Sequence, residues 1–140
     1  MIIKKVFSGK RKKAVAKAAI KQGNGKILIN KKPHAQLDIL NRLRIEEPLR
    51  IAKEQVGEIK FDIDINVRGG GKEGQVEACR LAIARALVEG FRQEDARKGE
   101  ILRKAYLAYD RNMLVADTRR KEAYKPGDSK ARKKRQKSYR

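Results

Sequence analysis

The chain has no tryptophan, one histidine and one cysteine among 140 residues. A single thiol excludes an internal disulfide, and no Cys and His recur at the spacing of a metal site. No apolar run approaches the ~18 residues that a membrane-spanning helix needs. The start, Met1-Ile2-Ile3-Lys4-Lys5, has no apolar stretch of signal-peptide length, so a reducing compartment is expected. A membrane-surface helix needs Trp, Phe or Leu opposite its lysines, and the basic segments here lack that stripe. Catalysis has little support. His34 stands alone after Pro33 in an expected loop, and Cys79 falls on the apolar face of an expected helix, where a thiol is usually inert.

Acid is also missing, and unevenly. Residues 1–32 hold 11 Lys/Arg and no Asp or Glu. Residues 119–140 hold 11 Lys/Arg against two acids, Glu122 and Asp128. The intervening stretch, 33–118, holds 15 of each sign. The whole net charge of +20 therefore sits at the two ends, as +11 and +9, around a neutral middle. Such arms cannot be neutralised from within the chain, and they match the footprint of a nucleic-acid binder. The expected division is a folded body over 1–118 and an extended basic tail over 119–140.

Alternation and helical spacing mark the elements. Through 14–21, AVAKAAIK, Ala14, Ala16, Ala18 and Ile20 face one way, and Val15, Lys17 and Lys21, with Lys13 before them, the other. Gln22-Gly23-Asn24-Gly25 has turn chemistry, and 26–30 reads as the return strand of a hairpin with a lysine face. A lysine face alone only keeps a sheet soluble; the acid-free 32 residues around it turn the reading toward a polyanion contact. Residues 38–57 predict a helix in two pieces, with Pro48 in the first turn of the second, stripes of Ile39, Leu40, Leu43 and of Leu49, Ala52, Val56, and Gly57 as the stop. Residues 58–67 are the clearest strand, with Ile59, Phe61, Ile63, Ile65 and Val67 on one face. Residues 73–89 are the clearest helix, through Val76, Cys79, Ile83, Ala86 and Leu87, with Gly90 as its stop. A further helix is expected within 94–107 and a last short strand at 113–117.

The sharpest local signal is Arg68-Gly69-Gly70-Gly71-Lys72-Glu73-Gly74, between the best strand and the best helix. Gly69, Gly71 and Gly74 satisfy G-x-G-x-x-G, and Glu94 lies where a dinucleotide fold keeps its ribose acid. The context argues against that fold. Its first strand is buried on both faces, whereas this one alternates with Asp62 and Asp64, and too little chain follows to build further βαβ units. No Gly-Lys is followed by Ser or Thr, so a Walker loop is excluded. What remains is a glycine loop whose backbone N–H groups converge at a helix N-terminus between Arg68 and Lys72, a general phosphate site. The plain alternative is a tight turn with no ligand. Asp62 and Asp64 could hold a magnesium ion, but a solvated or lysine-paired strand face accounts for them more simply.

The tail, Lys130 to Arg140, interleaves Lys and Arg with Tyr139, and Tyr124 precedes it. Arg makes bidentate phosphate contacts and stacks on bases, and Tyr stacks too. An arm without apolar surface orders only against its partner.

Gly9-Lys10-Arg11-Lys12-Lys13-Ala14-Val15-Ala16, Gly23-Asn24-Gly25-Lys26-Ile27, Glu47-Pro48-Leu49, Val67 to Gln75, Ala82-Ile83-Ala84-Arg85-Ala86-Leu87 and the ending Gln136-Lys137-Ser138-Tyr139-Arg140 follow in order. Together they resemble the universal S-nine family of small-subunit ribosomal proteins, in its archaeal and eukaryotic form. The resemblance implies an α/β sandwich of the ribosomal S-five domain-two-like type, a four-stranded, mainly antiparallel sheet packed on helices. It also implies binding of rRNA in the head of the small subunit, and a C-terminal tail reaching the tRNA in the peptidyl site. Carried onto this chain, the rRNA contacts are Lys10, Arg11, Lys12, Lys13, Arg68, Gly69, Gly70, Gly71, Lys72, Lys130, Arg132, Lys133, Lys134 and Arg135. The tRNA contacts are Lys137, Ser138, Tyr139 and Arg140. The partners implied are head rRNA, peptidyl-site tRNA and neighbouring ribosomal proteins in the cytoplasm, with no enzyme activity, cofactor, metal, membrane or small-molecule substrate. The other readings are a free-standing RNA- or DNA-binding module and a nucleotide-binding enzyme that uses Gly69–Gly74.

Overall fold

Alternation of apolar and polar residues builds the sheet. The computed structural model describes residues 5–124, 131 and 139–140. Among these lie strands β1 (Val6–Arg11), β2 (Ala14–Gln22), β3 (Ile27–Ile29), β4 (Lys32–Pro33) and β5 (Phe61–Arg68), in the order β1-β2-β5-β3-β4. Every neighbouring pair is antiparallel except β3 and β5. The helices are α1 (Ile39–Val56), α2 (Lys72–Glu94) and α3 (Ala96–Tyr109). One face of the sheet is core. Ala16, Ala18 and Ile20 of β2 stand opposite Val67, Ile65 and Ile63 of β5, all buried. α2 lies on that face, and α1 and α3 pack against α2. The strand residues under α2 are small for a reason. A Cβ on Gly9 would run into the Ala78 carbonyl and stand 2.8 Å from the Ala82 nitrogen.

The expected pairing of 14–21 with 26–30 is not formed. β2 and β3 straddle β5 instead, because the turn between them passes over the start of that strand. Gly23 N–H donates to the Lys60 carbonyl at 2.8 Å. The Asp62 carboxylate accepts from the N–H groups of Asn24 and Lys26 at 2.9 and 2.8 Å. The hairpin partner of β2 is β1, across the two residues Lys12 and Lys13, with Lys12 at φ 52°. The four-strand expectation is one short. After Asn30-Lys31, both left-handed at φ 49° and 67°, the two-residue β4 folds back on β3. That geometry suits a tight hairpin turn, but Asn-Lys lacks the glycine that would advertise it.

The helices also correct the reading. α1 is continuous through Pro48, and its buried positions are Asn41, Ile45, Pro48 and Ala52. Ile39 and Leu40 are exposed and Leu43 is partly so. The buried Tyr106 hydroxyl of α3 donates to the Pro48 carbonyl at 2.7 Å, which fixes the packed side. α2 does not stop at Gly90 but runs to Glu94. Gly90 is there for packing, since a Cβ would lie 2.8 Å from Ile20 Cδ1 and 3.3 Å from the Phe61 ring. Asp95 then caps α3 by accepting from Arg97 N–H at 2.9 Å. Residues 113–117 form no strand. A 3₁₀ turn at Arg111–Met113 buries Met113 completely, and extended chain follows.

Candidate nucleic-acid interface

β5 and α2 meet in the glycine loop, and the loop rests on the β1–β2 turn. Gly69 and Gly70 adopt φ 79° and 65°, where side chains are strained. A Cβ on Gly69 would lie 2.5 Å from the Lys13 carbonyl, and one on Gly70 would lie 3.0 Å from Ala14. Gly71 differs. Its φ is −101°, it caps α2 without a side-chain bond, and a Cβ there would meet open space. Gln75 reaches back to donate to the Gly69 carbonyl at 3.1 Å, holding the loop against its helix. Two distant segments therefore meet at one corner. Lys12 and Lys13 come from the turn, and Arg68 and Lys72 flank the loop. All four are exposed, and none has an ion-pair partner among the described residues. The positive end of α2 points at the same place.

The open face of the sheet continues this corner. Cross-strand register puts Ser8 opposite Lys17, Lys10 opposite Val15, and Val15 opposite Arg68. Lys10 and Lys17 are exposed and also lack an acidic partner among the described residues. Lys17 was legible from its strand phase; its proximity to Arg68 was not, since it depends on β5 pairing with β2.

Arg11 has a different fate. Its guanidinium pairs with Asp117 and lies 3.5 Å from Glu77. Asp117 also accepts from Arg119, through the backbone N–H at 2.9 Å and the guanidinium at 2.7 Å. The Arg119 hydrogen bonds, with Arg11 beside them, hold the Asp117 carboxyl well below the usual carboxylate range. Arg85 adds a second tie, donating to the carbonyls of Leu114 at 3.0 Å and Ser8 at 2.6 Å. The resemblance implies Arg11 as an rRNA contact; within the fold its guanidinium also fastens the root of the basic C-terminal segment beside β1. Neither Asp117 nor Arg85 was singled out from the sequence. Only their long-range partners give them this role.

Tyr139 and Arg140 are exposed. Lys130, Arg132, Lys133, Lys134, Arg135, Lys137 and Ser138 lie outside the described residues. Asp62 and Asp64 do not combine into a metal site. Asp62 is engaged by the turn, and the Lys26 N–H first, then Asn24 and Gly25, hold its carboxyl below the ordinary value. Among the described residues no three of His, Cys, Asp and Glu group around one point. Burial pushes the Cys79 thiol up to about 12, so it stays protonated near neutral pH. The dinucleotide pattern lacks its sheet. β5 is antiparallel to β2 and keeps a polar open face, unlike the buried parallel strand that motif requires.

The model of the ribosomal protein S9/S16 family matches residues 9–140. The chain belongs to the ribosomal protein S9/S16 family. The small ribosomal subunit protein uS9 of Picrophilus torridus is 48% identical over 133 residues, covering 94% of each chain. The protein of the same name from Methanococcus maripaludis is 43% identical over 138 residues, covering 94% of this chain and 95% of its own. The archaeal form of the resemblance is borne out by these relatives. Membership makes this S9/S16 chain a structural, non-enzymatic protein of the ribosome. It also fits the exposed cations at the loop corner, because a ribosome is built on a polyanion.

Proposed function

We propose that the chain is a structural constituent of the small ribosomal subunit in the cytoplasm, where it docks on rRNA of the head. The observation that carries this reading is the corner of Lys12, Lys13, Arg68 and Lys72 around an open glycine loop, with no acid paired to it among the described residues. Backbone N–H groups at the loop and the start of α2 suit phosphate oxygens, and the lysines supply the long-range attraction. The body, 1–118, is the docking module, and its sheet-and-helix architecture suits the S-five domain-two-like assignment. The segment 119–140 is the arm that threads RNA. Its last residues, Lys137 to Arg140, reach the peptidyl-site tRNA, with Arg140 as the terminal cation.

Sedimentation of the tagged chain from cell extract, before and after a high-salt wash, tests the reading. Co-migration with the small subunit that survives the wash is expected of an integral component. Release by salt marks a peripheral nucleic-acid binder, because purely electrostatic attachment is stripped as counterions return. Deleting Arg140 separates the two roles. Incorporation should persist while tRNA binding in the peptidyl site weakens, and lost incorporation would refute that division.

A further inference from the structure

A cleft of about 430 Å³ opens between the β3–β4 hairpin and the first turns of α1 and α2. That size is in the range of small-ligand pockets. Its walls include Ile29, Leu37, Ile45 and Val76. Asn41 faces the cleft from the first turn of α1. Asn41 is 8% exposed, yet its amide has no hydrogen-bond partner among the described residues. The amide opens onto the cleft, so a group entering there can pair with it. Lys32, Lys72 and Asp38 are the charged residues that line the cleft, and neither lysine has an ion-pair partner among the described residues.

We propose that this cleft receives the base of one unpaired RNA nucleotide. The aliphatic walls cover the ring. The Asn41 amide, donor and acceptor at once, pairs with the base edge. Lys72 and Lys32 meet the attached phosphate. Sequence-specific RNA recognition works on unpaired bases splayed out of their helix, since their edges and faces are then free. An apolar side chain from a neighbouring protein would fill the walls but leave Asn41 unpaired and the two lysines unanswered. The proposal rests on the rRNA-docking reading and adds to it a nucleotide-specific contact that the loop corner does not supply.

The test uses the full chain, labelled with ¹⁵N, and follows the Asn41 side-chain NH₂ signals. GMP, AMP, CMP and UMP are added separately, with inorganic phosphate as the control. A shift with at least one nucleotide and none with phosphate is expected. In parallel, Asn41→Leu should melt near the native temperature, because the amide it removes makes no hydrogen bond within the described fold. The same variant should bind head-domain rRNA roughly tenfold more weakly with an unchanged salt slope. Native affinity in Asn41→Leu, or Asn41 signals that ignore every nucleotide, overturns the base pocket and leaves phosphate docking intact. Should the variant fail to fold, the nucleotide titration of the native chain decides alone. A native chain that does not bind the rRNA at all removes the docking reading and the pocket together.

Discussion

Arg80 and Lys72 stand on the same helix, eight residues and ~12 Å of rise apart, and meet opposite ends. Arg80 lies between Glu47 at 2.6 Å and Asp110 at 2.9 Å. Tyr109 closes the cluster by donating to Glu47 at 2.6 Å. Lys72 is exposed and has no ion-pair partner among the described residues, the neighbouring Glu73 being paired with Arg44. The first cation joins three helices; the second is kept for something outside the chain. Composition counts both as +1. Only the first is neutralised within the fold, so the net charge understates how completely the loop corner is set aside for a polyanion.

Gly69 and Gly71 repeat that contrast inside one loop, and together they give the sharpest break. Gly69→Val puts a branched side chain at positive φ against the Lys13 carbonyl, and should destabilise by about 3 kcal/mol in urea unfolding. Gly71→Val meets open space, so the same measurement should move little while rRNA affinity falls. If both variants unfold alike, Gly71 has no separate role in phosphate approach.

Arg80→Ala comes next. It leaves Glu47 and Asp110 facing each other half-buried, and a loss of about 2 kcal/mol is expected. Its rRNA affinity should stay native in filter binding once the fold is held. A drop in affinity without a drop in stability would erase the distinction between the two cations.

The converse variant replaces Lys12, Lys13 and Lys72 together by Gln. Stability should stay within about 0.5 kcal/mol. Affinity should fall about tenfold, and the slope of log K against log salt should shrink by roughly two. An unchanged slope would mean that the corner does not touch phosphate.

The smallest effect concerns the root of the tail. Asp117 has a depressed carboxyl pKa in the fold, so its ionised form stabilises. That contribution is complete above the unfolded value near ~4 and fades as pH falls toward the folded one. Asp117→Asn should therefore cost stability near neutral pH and flatten the acid limb below about pH 4, so that the variant and the native chain converge as pH falls. An acid limb identical to the native one would show that the ties of Asp117 to Arg119 and Arg11 carry no stability.

Much of this was legible one segment at a time. The strand phase of Ala14–Ile20 and Phe61–Val67, the apolar face of α2 and the glycine loop all follow from spacing within a few residues. The errors share one cause. Pairing 14–21 with 26–30 ignored β5, more than thirty residues away, which lies between them. Gly90 read as a stop because its neighbours Ile20 and Phe61 are remote in sequence. The stripe Ile39-Leu40-Leu43 looked inward, yet α1 turns Asn41 and Ile45 inward instead, where α2 and α3 meet it.

Charge segregation, strand phase, helix location and the turn-forming glycines were determined by the sequence alone, because each is a property of neighbouring residues. The family resemblance followed from the same segments in order. Tertiary structure decided which cations stay free, which strands are neighbours and where a buried amide opens onto a cleft. Those outcomes depend on contacts between distant segments, whose partners no local pattern names.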